Sequence, residues 1–379
     1  MISSRVKKLQ SSLEHPLLIK KKENLLYLTG RLFMHGYLLV NPIHPLRSTL
    51  YPNVIFFGDG LEKIEGVKID RLKNLPLYLG KAKALDLEEE FTFAEYNYIR
   101  QKIKDLRLKI KLNHVKSPVD FQRAVKDSGE IRLIGKSMKI VERVFGLVRK
   151  EIKKPGMTEV RLAGFIKQAG LKLGAEDVSF PPIAASGANA AVPHHVPSKK
   201  LLKVGEPIIL DFGFKYKGYC SDFTRTLFLK KIPARLEQAY NQVEKAYWEA
   251  IKHIGSSQAS SITHNARSKT TRVARPQDAI RIIAGDVYQK AVDVLAEKQL
   301  EKYFIHSLGH GTGLEIHELP NLSPRSKDKL ENGMVFSIEP GVYIPRLGGI
   351  RVEDLVYLEK GQIKRFIAVS TKLSDNIIK

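Results

Sequence analysis

In two stretches of the chain apolar and β-branched residues run in to a turn and out again. Ile208 to Leu229, IILDFGFKYKGYCSDFTRTLFL, runs through the polar segment Lys215-Tyr216-Lys217-Gly218 and predicts a β-hairpin. A turn centred on Tyr216 and Lys217 sets Asp211 opposite Asp222. Val335 to Leu358, VFSIEPGVYIPRLGGIRVEDLVYL, predicts a second hairpin turning through Pro345, Arg346, Leu347, Gly348 and Gly349. Centred on Arg346, it sets Glu339 opposite Glu353. Like charges side by side on a sheet repel. Buried among apolar neighbours they are costly unless something cationic lies between them, and a metal ion is the obvious candidate.

The rest of the pattern surrounds these hairpins. Asn24 to Gly30, Tyr37 to Val40, Val54 to Phe57, Leu77 to Leu79 and Leu108 to Leu112 read as strands. Phe91 to Leu106 has helical spacing, with Tyr96, Ile99, Ile103 and Leu106 on one stripe. These elements predict an α/β unit over residues 1–122, followed by a larger unit over 123–379. In the larger unit a helix is expected from Ser128 to Arg149, stopped by Pro155-Gly156. A second is capped by Thr158 and runs through Lys172. FPPIAASGANAAVPHHVPSKKLL then predicts a strand and a shaped loop. Its adjacent histidines, His194 and His195, should point to opposite faces. Pro233 opens a helix through Ile251. Residues 255–275, GSSQASSITHNARSKTTRVAR, are basic and rich in Ser and Thr, and are expected to be a surface loop. Helix is expected again from Pro276 to Leu300.

Composition narrows the class. A chain of 379 residues can bury a sizeable core in two domains. No run approaches the roughly 18 apolar residues of a membrane span, and the start, MISSRVKKLQSS, lacks the apolar segment of a secretory signal. The single cysteine, Cys220, can form no intramolecular disulfide, which fits a cytoplasmic location. The net charge is +23, from 63 basic and 40 acidic residues. Such a surface attracts nucleic acid or acidic partners nonspecifically. No recognition motif accompanies it, and a solvated basic surface is the preferred reading.

Between the hairpins lies HSLGHGTGLEIHE, from His306 to Glu318, dense in imidazole and glycine. For any one Asp or Glu, a solvated charge at a strand end is the ordinary reading. Two hairpins with matched acidic pairs around this segment point instead to metal. Four carboxylates and one imidazole suit two divalent ions, with oxygen-rich ligation favouring Mn, Co or Zn. His306 and His310 are four apart, a ligand spacing only on a helix. Gly309, Gly311 and Gly313 argue against helix, which leaves His306 in a packing or supporting position.

The order LDFG, SDFTRT, HSLGHGTGLEIHE, SIEPG and RVEDLVY closely resembles the pita-bread metallopeptidases, and within them the Xaa-Pro aminopeptidases (aminopeptidase P) and Xaa-Pro dipeptidases (prolidases). The resemblance covers Val125 to the C-terminus well and the first part more loosely, and it implies that the loop 255–275 is an insertion. It implies an α+β protein, a C-terminal pita-bread (creatinase/aminopeptidase) fold with a smaller α/β N-terminal domain. It implies two divalent metal ions, manganese foremost. Asp211 would bind one, His310 and Glu339 the other, and Asp222 and Glu353 would bridge. Glu339 would also act as base and proton shuttle. His194 and His317 would bind substrate and stabilise the intermediate, and Arg351 would pair with a ligand carboxylate or with substrate. The implied substrate is a peptide or dipeptide with proline at its second position, and the implied assembly a homodimer.

Three readings compete. Release of the N-terminal residue from Xaa-Pro peptides leads, with Xaa-Pro dipeptide hydrolysis as its alternative. A noncatalytic pita-bread protein binding nucleic acid would have a broken ligand set, and this set is whole. Metal-free small-molecule chemistry of the creatinase kind is disfavoured on the same ground.

Overall fold

The computed structural model describes residues 4–33, 35–43, 53–59, 64, 67–264 and 282–379. The chain divides into two compact units, Met1–Arg123 and Ala124–Lys379.

The first unit is built on a mixed six-stranded sheet. Its order is Lys68–Asp70, Val54–Phe57, Tyr37–Val40, Leu17–Ile19, Ala84–Glu88 and Lys111–Val115. Leu18, Leu39, Ile55, Phe57, Leu85 and Leu87 pack with Ile99 and Ile103 of helix Phe93–Asp105. Several expectations are corrected here. Asn24 to Gly30 is not a strand but the end of helix Lys22–Thr29 and its cap. Gly30 adopts φ 71° and donates to the Leu26 carbonyl, and the Asn24 amide is drawn to Glu88 at 2.7 Å. Leu77 to Leu79 is not a strand either, since Leu72–Tyr78 is a 3-10 helix. The last strand begins at Lys111 rather than Leu108. Leu17–Ile19 is missing from the sequence reading because all three of its residues are buried, so it shows no alternation.

In the second unit a nine-stranded sheet carries both predicted hairpins. Along its main path lie Glu318–Leu322, Gly309–Gly311, Val335–Ile338, Glu353–Glu359, Phe223–Leu229, Pro207–Asp211 and Ile183–Ser186. Helices Ser128–Glu151 and Glu159–Lys172 start at the side-chain caps Asp127 and Thr158. The stretch read as a loop from residue 255 begins as helix, since Ala234–His264 is continuous. The remainder of it, with 276–281 of the expected next helix, lies outside the described residues. Helix Ala284–Ala296 follows.

Alternation along the strands sorts side chains to two faces. On one, Phe336, Ile338 and Val356 join Tyr240, Val243, Tyr247, Val287 and Ala291 of the two helices in the main core. On this face Arg225 and Asp354 form a fully buried pair at 2.8 Å, and Tyr247 donates to Asp354. The other face carries Asp211, Thr224, Ser337 and Glu353.

The second hairpin has the register that a turn centred on Arg346 predicts, with Ile338 opposite Asp354 and Gly341 opposite Arg351. The first is corrected. Its turn is centred on Lys217 and Gly218, whose φ values of 49° and 79° suit a two-residue hairpin turn. Asp211 therefore pairs with Thr224, not Asp222. Sliding a turn by one residue moves each partner by two, and with a side-chain period of two the facing surface is kept.

A candidate metal centre

The two hairpins and the His-Gly segment meet at one pocket of about 480 Å³. Asp211, Asp222, His310, Glu339, Glu353, His194, His317 and Arg351, all singled out from the sequence, line it. Backbone proximity brings them together. A Cβ on Gly213 would lie 1.8 Å from the Ser221 carbonyl, so only glycine lets the two arms of the first hairpin cross between its aspartates. A Cβ on Gly309 would lie 2.0 Å from the Ser337 carbonyl, so glycine lets the His310 strand close on its neighbour.

Donor atoms of Asp222, His310 and Glu353 all lie within 4.8 Å of one another. His310 Nε2 is 3.5 Å from Asp222 Oδ2 and 3.4 Å from Glu339 Oε1. Burial holds His310 down at about 4, so its ring is neutral near pH 7. Nδ1 donates to the Gly311 carbonyl at 3.1 Å, which leaves the Nε2 lone pair facing the carboxylates. The carboxyls themselves are strained electrostatically. Burial, then Asp211 and Glu339, push Asp222 well above its ordinary value. Burial, then Asp222 and Glu339, do the same to Glu353. Burial pushes Glu339 up to about 8. Burial also raises Asp211, against the pull of Arg351.

Asp211 Oδ1 is buried without a hydrogen-bond partner, while Oδ2 accepts from Arg351. Four mutually repelling carboxylates, an orphaned carboxylate oxygen and a neutral imidazole with an inward lone pair fit divalent cations.

Hydrogen bonds hold these donors in place. Thr224 donates to Glu353 Oε2 at 2.5 Å and accepts from Arg351 Nε at 3.2 Å. Ser337 donates to Glu339 at 3.2 Å and accepts the His310 N–H at 3.0 Å. Arg351, 3% exposed, also donates to the Tyr343 hydroxyl at 2.6 Å.

Sequence reasoning underrated one residue and missed two. His306 lines the pocket rather than lying behind it, with Nε2 2.9 Å from the Tyr343 hydroxyl. Burial holds it down at about 4. Neither Tyr343 nor Ser337 was singled out. The available signal was strand alternation, which puts Ser337 on the same face as Glu339. His317 packs edge-on to His310, ring centroids 4.3 Å apart.

The sheet with its paired acidic hairpins defines a metallohydrolase-type site. Residues 132–360 match the model of metallopeptidase family M24, and the chain belongs to that family. A putative Xaa-Pro aminopeptidase of Mycoplasma pneumoniae is 33% identical over 362 residues, 93% of this chain and 92% of that one. A putative Xaa-Pro aminopeptidase of Mycoplasma genitalium is 40% identical over 242 residues, 63% of this chain and 61% of that one. The solved structure of an Xaa-Pro dipeptidase from Bacillus anthracis superposes with a TM-score of 0.82 at 25% identity, covering 97% of this chain and 98% of that chain. The fold is the α+β pita-bread arrangement. No helix among the described residues is long and apolar enough to cross a membrane.

Proposed function

We propose that this chain is a dinuclear metallopeptidase that hydrolyses the bond preceding proline and releases the N-terminal residue. The observation that carries the reading is the convergence of Asp211, Asp222, His310, Glu339 and Glu353 on one buried pocket. Asp211 would hold one ion, His310 and Glu339 the other, with Asp222 and Glu353 shared. Manganese is the expected metal, with cobalt or zinc able to replace it. A cytoplasmic homodimer is the expected form.

When bound, such ions supply Lewis acidity and a water acidic enough to attack near neutral pH. The chain's own groups do the rest. Glu339 takes the proton of the attacking water and returns it to the leaving proline nitrogen. His317 donates to the developing oxyanion. His194 orients the residue before the scissile bond. Arg351 holds Asp211 in place. The bond to proline is a tertiary amide without an N–H. Relatives named for Xaa-Pro cleavage support proline as the second residue.

Arg351 favours a peptide over a dipeptide. Among the described residues lining the pocket it is the one Lys or Arg, and its guanidinium is engaged by Asp211, Thr224 and Tyr343. A bound dipeptide would bring its free carboxylate into a pocket whose described lining offers no unengaged guanidinium or ammonium to meet it. A longer peptide carries that charge away.

The test is hydrolysis by metal-stripped protein refilled with Mn, Co or Zn, given an Xaa-Pro dipeptide and an Xaa-Pro-Xaa tripeptide, with Glu339→Ala as control. Metal-dependent cleavage of the tripeptide, lost in the variant, is expected. Preferential cleavage of the dipeptide would make the chain a prolidase instead. No cleavage with any metal bound would overturn the peptidase reading.

A further inference from the structure

Glu159 opens the helix Glu159–Lys172, is not among the residues that line the pocket, and has a fully buried side chain. It carries more hydrogen bonds than a helix start requires. Oε1 accepts from the Ser186 N–H at 2.7 Å and its hydroxyl at 2.8 Å. The Asn189 amide reaches both oxygens at 3.1 Å. Oε2 accepts from the Ser198 N–H at 3.1 Å, from its hydroxyl at 2.6 Å, and from His195 Nε2 at 2.9 Å. These donors hold the carboxyl down at about 2 against the effect of burial, so it is ionised. An ionised carboxylate only accepts, so His195 donates from Nε2.

His195 is the neighbour of His194, and the two turn to opposite sides. His194 lines the pocket. Asp211, His306 and His317 line that same pocket with it. On the other flank, the Pro193 carbonyl lies 3.5 Å from Arg351 NH1. His194 is thus held between a residue tied to the metal side and a residue tied to Glu159. Besides the local turns, in which the Val192 N–H donates to the Asn189 carbonyl and the His195 N–H to the Val192 carbonyl, the loop is open to solvent, with Val192 and Val196 52% and 79% exposed.

We propose that Glu159 and His195 form a brace that positions His194, so that a buried carboxylate outside the pocket sets the aim of a substrate-facing imidazole. Glu159 is a positioning residue and touches no reacting atom. The inference rests on the peptidase reading for its kinetic consequence and on the structure alone for the geometry.

The experiment is a double-mutant cycle on the metal-loaded full chain with an Xaa-Pro-Xaa peptide. His195→Leu removes the link, His195→Gln keeps an amide donor in reach of Glu159, and His194→Ala removes the group being aimed. Loss of a partner that orients a site residue costs about tenfold to a hundredfold. That loss is expected in kcat/KM for His195→Leu, with His195→Gln restoring most of it. In the His194→Ala background His195→Leu should cost little further, since coupled residues are not additive. The same factor in both backgrounds would mean a general effect on the fold and would overturn the brace. Glu159→Gln, with thermal unfolding measured alongside, tests the other end of the pair in the same cycle. Ring 15N resonances of His194 supply a readout independent of turnover. They should move in His195→Leu and stay in His195→Gln, and unmoved resonances in both overturn the proposal. A wild type that cleaves nothing while these resonances behave as expected would sink the peptidase reading and leave the brace standing.

Discussion

Asp211 faces Thr224 across the first hairpin, and the Thr224 hydroxyl in turn donates to Glu353 on the neighbouring strand. One small hydroxyl therefore links the two acidic hairpins. Thr224→Val keeps the shape and removes the donor. Supporting hydrogen bonds on a ligand carboxylate are worth about tenfold to a hundredfold in metal affinity. A drop of that size is expected in calorimetric titration with Mn, with the folded structure retained. Unchanged affinity would mean that Glu353 holds its position without Thr224.

The acidic cluster should make the metal-free protein sensitive to rising pH. Burial pushes the Glu339 carboxyl up from 4.5 to about 8, so the folded state keeps a proton that the unfolded chain releases. Its contribution to stability is present below 4.5 and is lost as pH rises through 8. In chelator-treated protein, Glu339→Gln should raise Tm relative to wild type at the alkaline end, while in the metal-refilled protein it should abolish hydrolysis. Divalent ions should restore the wild-type Tm there. Equal Tm values for both chelated proteins across that range would count against a destabilising carboxylate cluster.

His306 works in the opposite direction. Burial holds it down from 6.5 to about 4, so the folded state prefers the neutral ring. That contribution is full above 6.5 and disappears as pH falls through 4. His306→Gln should flatten the acid limb of a stability–pH curve measured by urea unfolding. An unaltered acid limb would show that His306 is more solvated than its burial implies.

Gly213 is a test of the crossing between the two aspartates. Gly213→Ala places a carbon 1.8 Å from a backbone oxygen that has no freedom to retreat. Overpacking of this kind costs about 1–3 kcal/mol. The urea midpoint should fall accordingly, and metal affinity with it, since Asp211 and Asp222 move apart. A variant of wild-type stability would show that the hairpin arms can separate freely.

Arg225 is fully buried behind the site. It donates to Asp354 at 2.8 Å and to the Glu353 carbonyl at 2.6 Å. Arg225→Met leaves Asp354 with less compensation, and breaking a buried pair costs about 3–5 kcal/mol. Denaturant unfolding should register a loss in that range. A loss below about 1 kcal/mol would mean that Arg365, 2.8 Å from the other Asp354 oxygen, suffices alone.

Much of this was legible in the residues. The helices from Ser128 and Glu159 announce themselves by apolar spacing and a capping side chain. The second hairpin announces its register because Arg346 sits at the centre of a Pro- and Gly-bounded turn between two apolar, β-branched runs. Asn24 to Gly30 misled because its apolar run is too short to separate helix from strand. What decided it was Gly30 closing the helix and Glu88 drawing in Asn24.

The sequence by itself determined which side chains share a face, because the strand period of two survives a one-residue error in the turn. That is why Asp211 and Asp222 reach the same pocket although they are not partners. Only the tertiary structure decided what meets across distances the chain does not record. Arg351 reaches Asp211 rather than solvent, His306 joins the pocket, and Glu159 takes hold of His195. Those contacts depend on how strands and helices remote in sequence pack, and periodicity along one strand carries no information about its neighbours' side chains.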